Sequence, residues 1–231
     1  MRPRFVGRIG PADVITVANA VVGLLAAVVA TADPHLAARL VLLAAVGDGL
    51  DGVVARRFGG TDVGSYLDSL SDVAAFGVAP AVLVVGIVSR DWGLSLTDLT
   101  PELVLALAVA AFFLAMVVLR LGLYTAYDTA TAYTLGVPST LAATLLGAAV
   151  LAHIVTPVTA LVGTAILGYL MVTRITYPDL LARDALIMGV VHVVAVILPE
   201  FLGRAFPFAL LTLALAYLVL GPRFYWRPHG G

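Results

Sequence analysis

Eight apolar runs, at roughly 13–32, 36–57, 64–89, 102–126, 139–155, 158–174, 183–198 and 203–221, approach the length needed to cross ~30 Å of hydrocarbon. Lipid offers no water to a backbone N–H or C=O, so a run of this kind satisfies those groups within a helix. The pattern predicts an all-α fold, a polytopic membrane helical bundle of about eight transmembrane helices forming one domain over residues 1–231. Composition agrees, since 61% of the residues are hydrophobic, 12% are charged and the mean hydropathy is +1.07, outside the range of ordinary soluble domains. The fifth and sixth runs are short and are separated only by Thr156 and Pro157, which fits either two helices or one broken hairpin over 139–174. No cysteine is present, so disulfides and thiolate metal sites are excluded. The 13 basic residues are all arginine and lie scattered among loops, a distribution that does not point to nucleic acid.

Against this apolar background, residues 48–72, DGLDGVVARRFGGTDVGSYLDSLSD, concentrate Asp48, Asp51, Arg56, Asp68 and Asp72. An ionisable group inside a bilayer costs a few kcal/mol or more and survives where it binds something or lines a wet cavity. Asp48 and Asp51 are three residues apart and Asp68 and Asp72 four, so each pair shares one helix face. Two acidic pairs on neighbouring helices form a cage for divalent cations, and Gly49, Gly52, Ala55 and Gly64 keep the nearby surface small enough for a bulky ligand to approach the backbone. For the glycines, tight small-xxx-small helix packing is the competing explanation.

Arginine placement orients the bundle. An eight-helix path with a cytoplasmic N-terminus puts Arg2, Arg4, Arg8, Arg56, Arg57, Arg120, Arg174, Arg183, Arg223 and Arg227 inside and Arg39, Arg90 and Arg204 outside, in keeping with the positive-inside rule. Both termini and the acidic segment are then expected near the cytoplasmic face of the cell membrane. The start MRPRFVGRIG, the apolar run after it and Ala30-Thr31-Ala32 imitate a secretory signal. The run is expected to be kept, because seven further spans follow and Thr16 and Asn19 lie one turn apart on a polar face. His153 and His192, each alone in an apolar run, read as packed or hydrogen-bonded side chains. Tyr124, Tyr127, Tyr133, Tyr225 and Trp226 read as interfacial aromatics.

The acidic segment fits D-x2-D-G-x2-A-R-x7-G-x3-D-x3-D as Asp48, Asp51, Gly52, Ala55, Arg56, Gly64, Asp68 and Asp72. In this it resembles the CDP-alcohol phosphatidyltransferases. The resemblance implies a six-helix catalytic core and two Mg²⁺ or Mn²⁺ ions, with Asp48, Asp51 and Asp68 as main ligands and Asp72 as a shared ligand and the catalytic base. It also implies CDP-lipid binding by Asn19, Asp51, Gly52, Ala55, Arg56 and Gly64, and assembly as a homodimer. Arg56 would hold a phosphate through its planar donor fork.

Further stretches narrow the resemblance. DSLSDVAAFGVAP at 68–80, ITVAN at 15–19, LRL at 119–121, GVPST at 136–140 and YP at 177–178 are similar to segments of the subgroup that transfers phosphatidyl or archaetidyl groups to serine. The implied partners are CDP-diacylglycerol or CDP-archaeol, L-serine and membrane lipid, with Arg120 as the group for the serine carboxylate. One departure stands out: LRLGLYT replaces the LRLARFN expected of that subgroup. Glycerol phosphate or inositol phosphate as acceptor is the alternative within the family, and it would call for a basic cluster beyond Arg56. From another class, a cation transporter uses intramembrane carboxylates, with no evident need for Arg56 or the intervening glycines.

Overall fold

The computed structural model describes residues 3–128, 133–178 and 180–225, so Arg2, Trp226 and Arg227 lie outside it. Among the described residues the fold is helical apart from one short two-stranded ladder, with eight helices. These are α1 (Pro11–Val29), α2 (Pro34–Phe58), α3 (Gly64–Asp91), α4 (Pro101–Leu123), α5 (Ser139–Leu151), α6 (Pro157–Met171), α7 (Ala182–Ile197) and α8 (Ala205–Phe224). Among the described residues α1, α3, α4 and α8 are long and apolar enough to cross a membrane. α2 has the length and carries the charges of the acidic segment, while α5 and α6 are shorter. Residues 139–174 form two helices, because Thr156 starts a new one: its hydroxyl accepts from the Thr159 N–H, and Pro157 occupies the first turn where no N–H is needed.

A row of large apolar side chains lies exposed along α1, while many small residues are buried beside core side chains such as Phe76, Phe113, Leu42 and Leu83. Val14, Val17, Val21, Leu24 and Val28 run down the exposed side of α1, whereas Ala26, Ala37, Ala38, Ala44, Ala75, Ala79, Ala142 and Ala143 are buried. A water-soluble bundle would not leave such an apolar row on its surface. In lipid, large apolar side chains outside cost nothing, and small ones inside let backbones approach closely. At Gly23 a Cβ would lie 2.6 Å from the Ala75 Cα, which sets α1 directly against α3. The chain is a multi-pass membrane protein.

Contacts between helix ends show an up-and-down path. One end gathers the start of α1, the turn between α2 and α3, the end of α4 and the start of α5: Asp13 accepts from Thr61, and Arg120 donates to Ser139. A two-stranded antiparallel ladder, β1 (Tyr133–Leu135) on β2 (Thr176–Pro178), lies at the same end, and Tyr217 of α8 donates to the Pro178 carbonyl. At the far end His153 stacks on His35 with ring centroids 4.1 Å apart and meets Glu200, whose carboxylate Arg204 holds below its ordinary pKa. His192 is buried and bonds Thr144 and the Met188 carbonyl, whereas His153 is an exposed, hydrogen-bonded residue; neither lies at the acidic cluster.

The chain entering α5 is rigidly mounted. Gly136 has φ +74°, its N–H bonds the Ile175 carbonyl, and a Cβ there would collide with the carbonyl of Met171. Gly136→Ala is therefore expected to cost about 2 kcal/mol or more, from left-handed backbone strain plus the clash. Thermal unfolding of the purified protein in detergent measures it.

Candidate active site

Within α3, residues Val73–Val78 form a π-helical turn that begins directly after Asp72. The extra residue rotates the helix face by about 100°. Asp68 and Asp72 can thereby face a polar pocket while Ala75, Phe76 and Ala79 still face the fully buried core. The four-residue spacing of Asp68 and Asp72 stacks their carboxylates on one side of α3, and Asp48 meets them from α2. One carboxylate oxygen from each of Asp48, Asp68 and Asp72 lies within 4.8 Å of the others.

Hydroxyls from the first turn of α5 close this cluster. Ser139 Oγ donates to Asp72 Oδ2 at 3.3 Å and Thr140 Oγ1 to Asp48 Oδ2 at 3.3 Å. Behind Ser139 sits Arg120, 7% exposed, whose Nη1 donates to Ser139 Oγ at 3.4 Å and whose Nη2 donates to Thr134 Oγ1 at 3.2 Å. The departure LRLGLYT has structural consequences here: the Tyr124 ring lies 5.7 Å from the Arg120 guanidinium carbon, and Thr125 shares a short hydrogen bond with Ser69.

Asp51 lies outside the group of three. Its Oδ2 accepts from Thr16 Oγ1 at 2.6 Å, on the α1 side of the pocket. The Ser71 hydroxyl bonds the Thr16 carbonyl, and buried Asn19 donates to the Ala44 carbonyl, so polar residues of α1 are locked to α2 and α3 around the site. Sequence reasoning did not single out Asp13, which is 3% exposed and accepts from Gly10 N–H at 2.7 Å and Thr61 Oγ1 at 2.8 Å, tying the α2–α3 turn to α1. A carboxylate at the start of an apolar run was the available signal. Ser139 and Thr140 were visible only as part of GVPST.

The motif glycines differ from the packing glycines. A Cβ on Gly49 would meet open space, one on Gly52 only the Arg56 guanidinium at 3.5 Å, and one on Gly64 only Asp13 and Thr61 side chains, whereas one on Gly23 would strike backbone. Arg56 is exposed at the mouth of the site, and Ala55 is half-buried beside it.

Three carboxylates this close repel one another strongly in a low-dielectric setting and call for a counter-charge between them. An all-oxygen set of this kind suits Mg²⁺ or Mn²⁺. The residues present therefore fit a hard divalent cation.

An acidic cluster walled by small residues at one end of a multi-pass helical bundle defines a class of intramembrane polar site, and comparison with known proteins assigns the family. A family model described as CDP-alcohol phosphatidyltransferase matches residues 11–198, and the chain belongs to that family. It is 56% identical over 48 residues to the archaetidylserine synthase of Methanothermobacter thermautotrophicus, covering 20% of this chain and 21% of that protein. Against the CDP-diacylglycerol–serine O-phosphatidyltransferase of Methanocaldococcus jannaschii it is 44% identical over 73 residues, 31% of this chain and 33% of the relative. Against the protein of that name from Helicobacter pylori it is 34% identical over 154 residues, 62% and 61% of the two chains. The matched stretches span from about a fifth to about three-fifths of these relatives' lengths.

Proposed function

We propose that this protein transfers a phosphatidyl or archaetidyl group from a CDP-linked lipid to L-serine and releases CMP, in phospholipid biosynthesis. The observation that carries this reading is the convergence of Asp48, Asp68 and Asp72 one hydroxyl away from the buried guanidinium of Arg120. The names of the relatives agree with it.

Asp48, Asp51, Asp68 and Asp72 are the residues that would hold two Mg²⁺ or Mn²⁺ ions. Bound there, the ions supply charge neutralisation for the pyrophosphate and for the leaving CMP. Gly52, Ala55 and Gly64 leave room for cytidine and ribose, Asn19 on α1 faces the nucleotide, and exposed Arg56 holds a phosphate. Asp72 takes the proton from the serine hydroxyl, and the oxygen attacks the lipid-side phosphorus in line. The bond from that phosphorus to the bridging oxygen breaks, and CMP departs with the electron pair. Arg120 holds the serine carboxylate and so aims the hydroxyl. The arginines at the site end, Arg4, Arg8, Arg56, Arg57, Arg120, Arg174, Arg183 and Arg223, favour a cytoplasmic position for it in the cell membrane.

The test is purified protein with Mn²⁺ and labelled CDP-diacylglycerol or CDP-archaeol. CMP appears when L-serine is added. Release with glycerol 3-phosphate or inositol phosphate and not with serine overturns the acceptor assignment, and a cation transporter would release none. Removing the charge-assisted bonds of Arg120 is expected to cost about 1.5–3 kcal/mol, roughly ten- to a hundredfold. Arg120→Ala should therefore raise the apparent KM for serine by that factor and the KM for CDP-lipid much less.

A further inference from the structure

We propose that Ser139 is the positioning residue for Asp72, fixing which carboxylate oxygen faces the cation cluster and which is turned away from it. The inference rests on the transfer reading above and adds to it a residue with no charge and no metal-ligand role. Ser139 is 1% exposed and lies between two groups of opposite character: Arg120 Nη1 at 3.4 Å and Asp72 Oδ2 at 3.3 Å. A guanidinium only donates, so Ser139 Oγ accepts from it, and the single hydroxyl proton is left to point at Asp72. The direction of the bond is thereby set from outside the acidic cluster.

The mounting of Ser139 is correspondingly stiff. It is the first residue of α5 after Pro138, whose φ is −57°. The two residues before that are pinned through Gly136 N–H to the Ile175 carbonyl and Val137 N–H to the Leu170 carbonyl. The next residue, Thr140, repeats the arrangement on Asp48, so one helical turn meets carboxylates from α2 and α3 together. With Asp72 Oδ2 held by Ser139, the other oxygen of Asp72 is left for the cluster, and a molecule on Arg120 lies one hydroxyl from the base.

Loss of a hydrogen bond to a charged group is expected to lower kcat about ten- to a hundredfold in Ser139→Ala. The KM for CDP-lipid and the affinity for Mn²⁺ with CDP, measured by calorimetry, should stay within about twofold, since Asp48, Asp51 and Asp68 are untouched. Ser139→Thr keeps the hydroxyl and should recover kcat to within about threefold. The proposal is overturned if Ser139→Ala keeps the wild-type kcat, if it loses Mn²⁺–CDP affinity in step with kcat, or if Ser139→Thr is as slow as the alanine variant. A Ser139→Ala protein that does not fold overturns it too, because the role would then be structural. Each kcat is measured with the alcohol that the wild-type protein uses. Failure of serine as acceptor therefore refutes the acceptor assignment, while the variants still decide the role of Ser139.

Discussion

Excess EDTA is expected to abolish CMP release by the purified protein, and added Mg²⁺ or Mn²⁺ to restore it. Asp48, Asp68 and Asp72 bring carboxylate oxygens within 4.8 Å of one another. The substrate would bring a pyrophosphate to the same place, and attack on its phosphorus would add further negative charge. Arg120 meets this cluster through the Ser139 hydroxyl, and Arg56 is exposed. Neither is placed to neutralise both the carboxylates and the phosphates. Metal ions supply several kcal/mol of such stabilisation, so their removal should slow turnover by a factor on the order of 10³ or more. The measurement is CMP release against free metal concentration in a chelator buffer. Turnover at the full rate without divalent cations would refute the two-metal reading.

Asp68→Asn and Asp72→Asn are expected to fail differently. Asp68 contributes an oxygen to the centre of the cluster and has no hydroxyl from α5 to hold it. Its replacement removes a charge that the cations need, so Mn²⁺-dependent binding of CDP should weaken by about ten- to a hundredfold, and turnover should fall with it. Asp72 is held by Ser139 at the edge nearest Arg120. Its amide would still carry an oxygen for a cation but could not take a proton. Turnover should then drop by about 10²–10⁴, with CDP affinity falling far less. Calorimetry with CDP and Mn²⁺, alongside kcat, separates the two. Equal loss of binding in both variants would make Asp72 a plain ligand.

The candidate site was largely legible in the sequence, because its signals are local. Charge in an apolar run is costly wherever the helix sits, and spacings of three and four residues put side chains on one face without reference to any partner. For the same reason Asp48, Asp68 and Asp72 could be marked before their helices were seen to meet. Ser139 and Thr140 escaped notice as ligand-holders because a serine and a threonine at a helix start look like ordinary end residues. Their carboxylate partners lie 67 and 92 positions away along the chain.

By itself the sequence determined the class of fold: the length and polarity of the runs leave helices as the way to satisfy the backbone in lipid, and the small residues among them mark where helices approach closely. Only the tertiary structure decided which carboxylates share one site. The rotation of each helix about its axis is set by packing, as at Gly23 against Ala75, and by the π-helical turn after Asp72. Those rotations hold one oxygen of Asp51 on Thr16 and leave it outside the tightest group of three, although its spacing from Asp48 places both on one helix face. They also bring the first turn of α5 onto Asp48 and Asp72. A helix pattern specifies a face; which neighbour that face meets depends on the summed packing of the whole bundle.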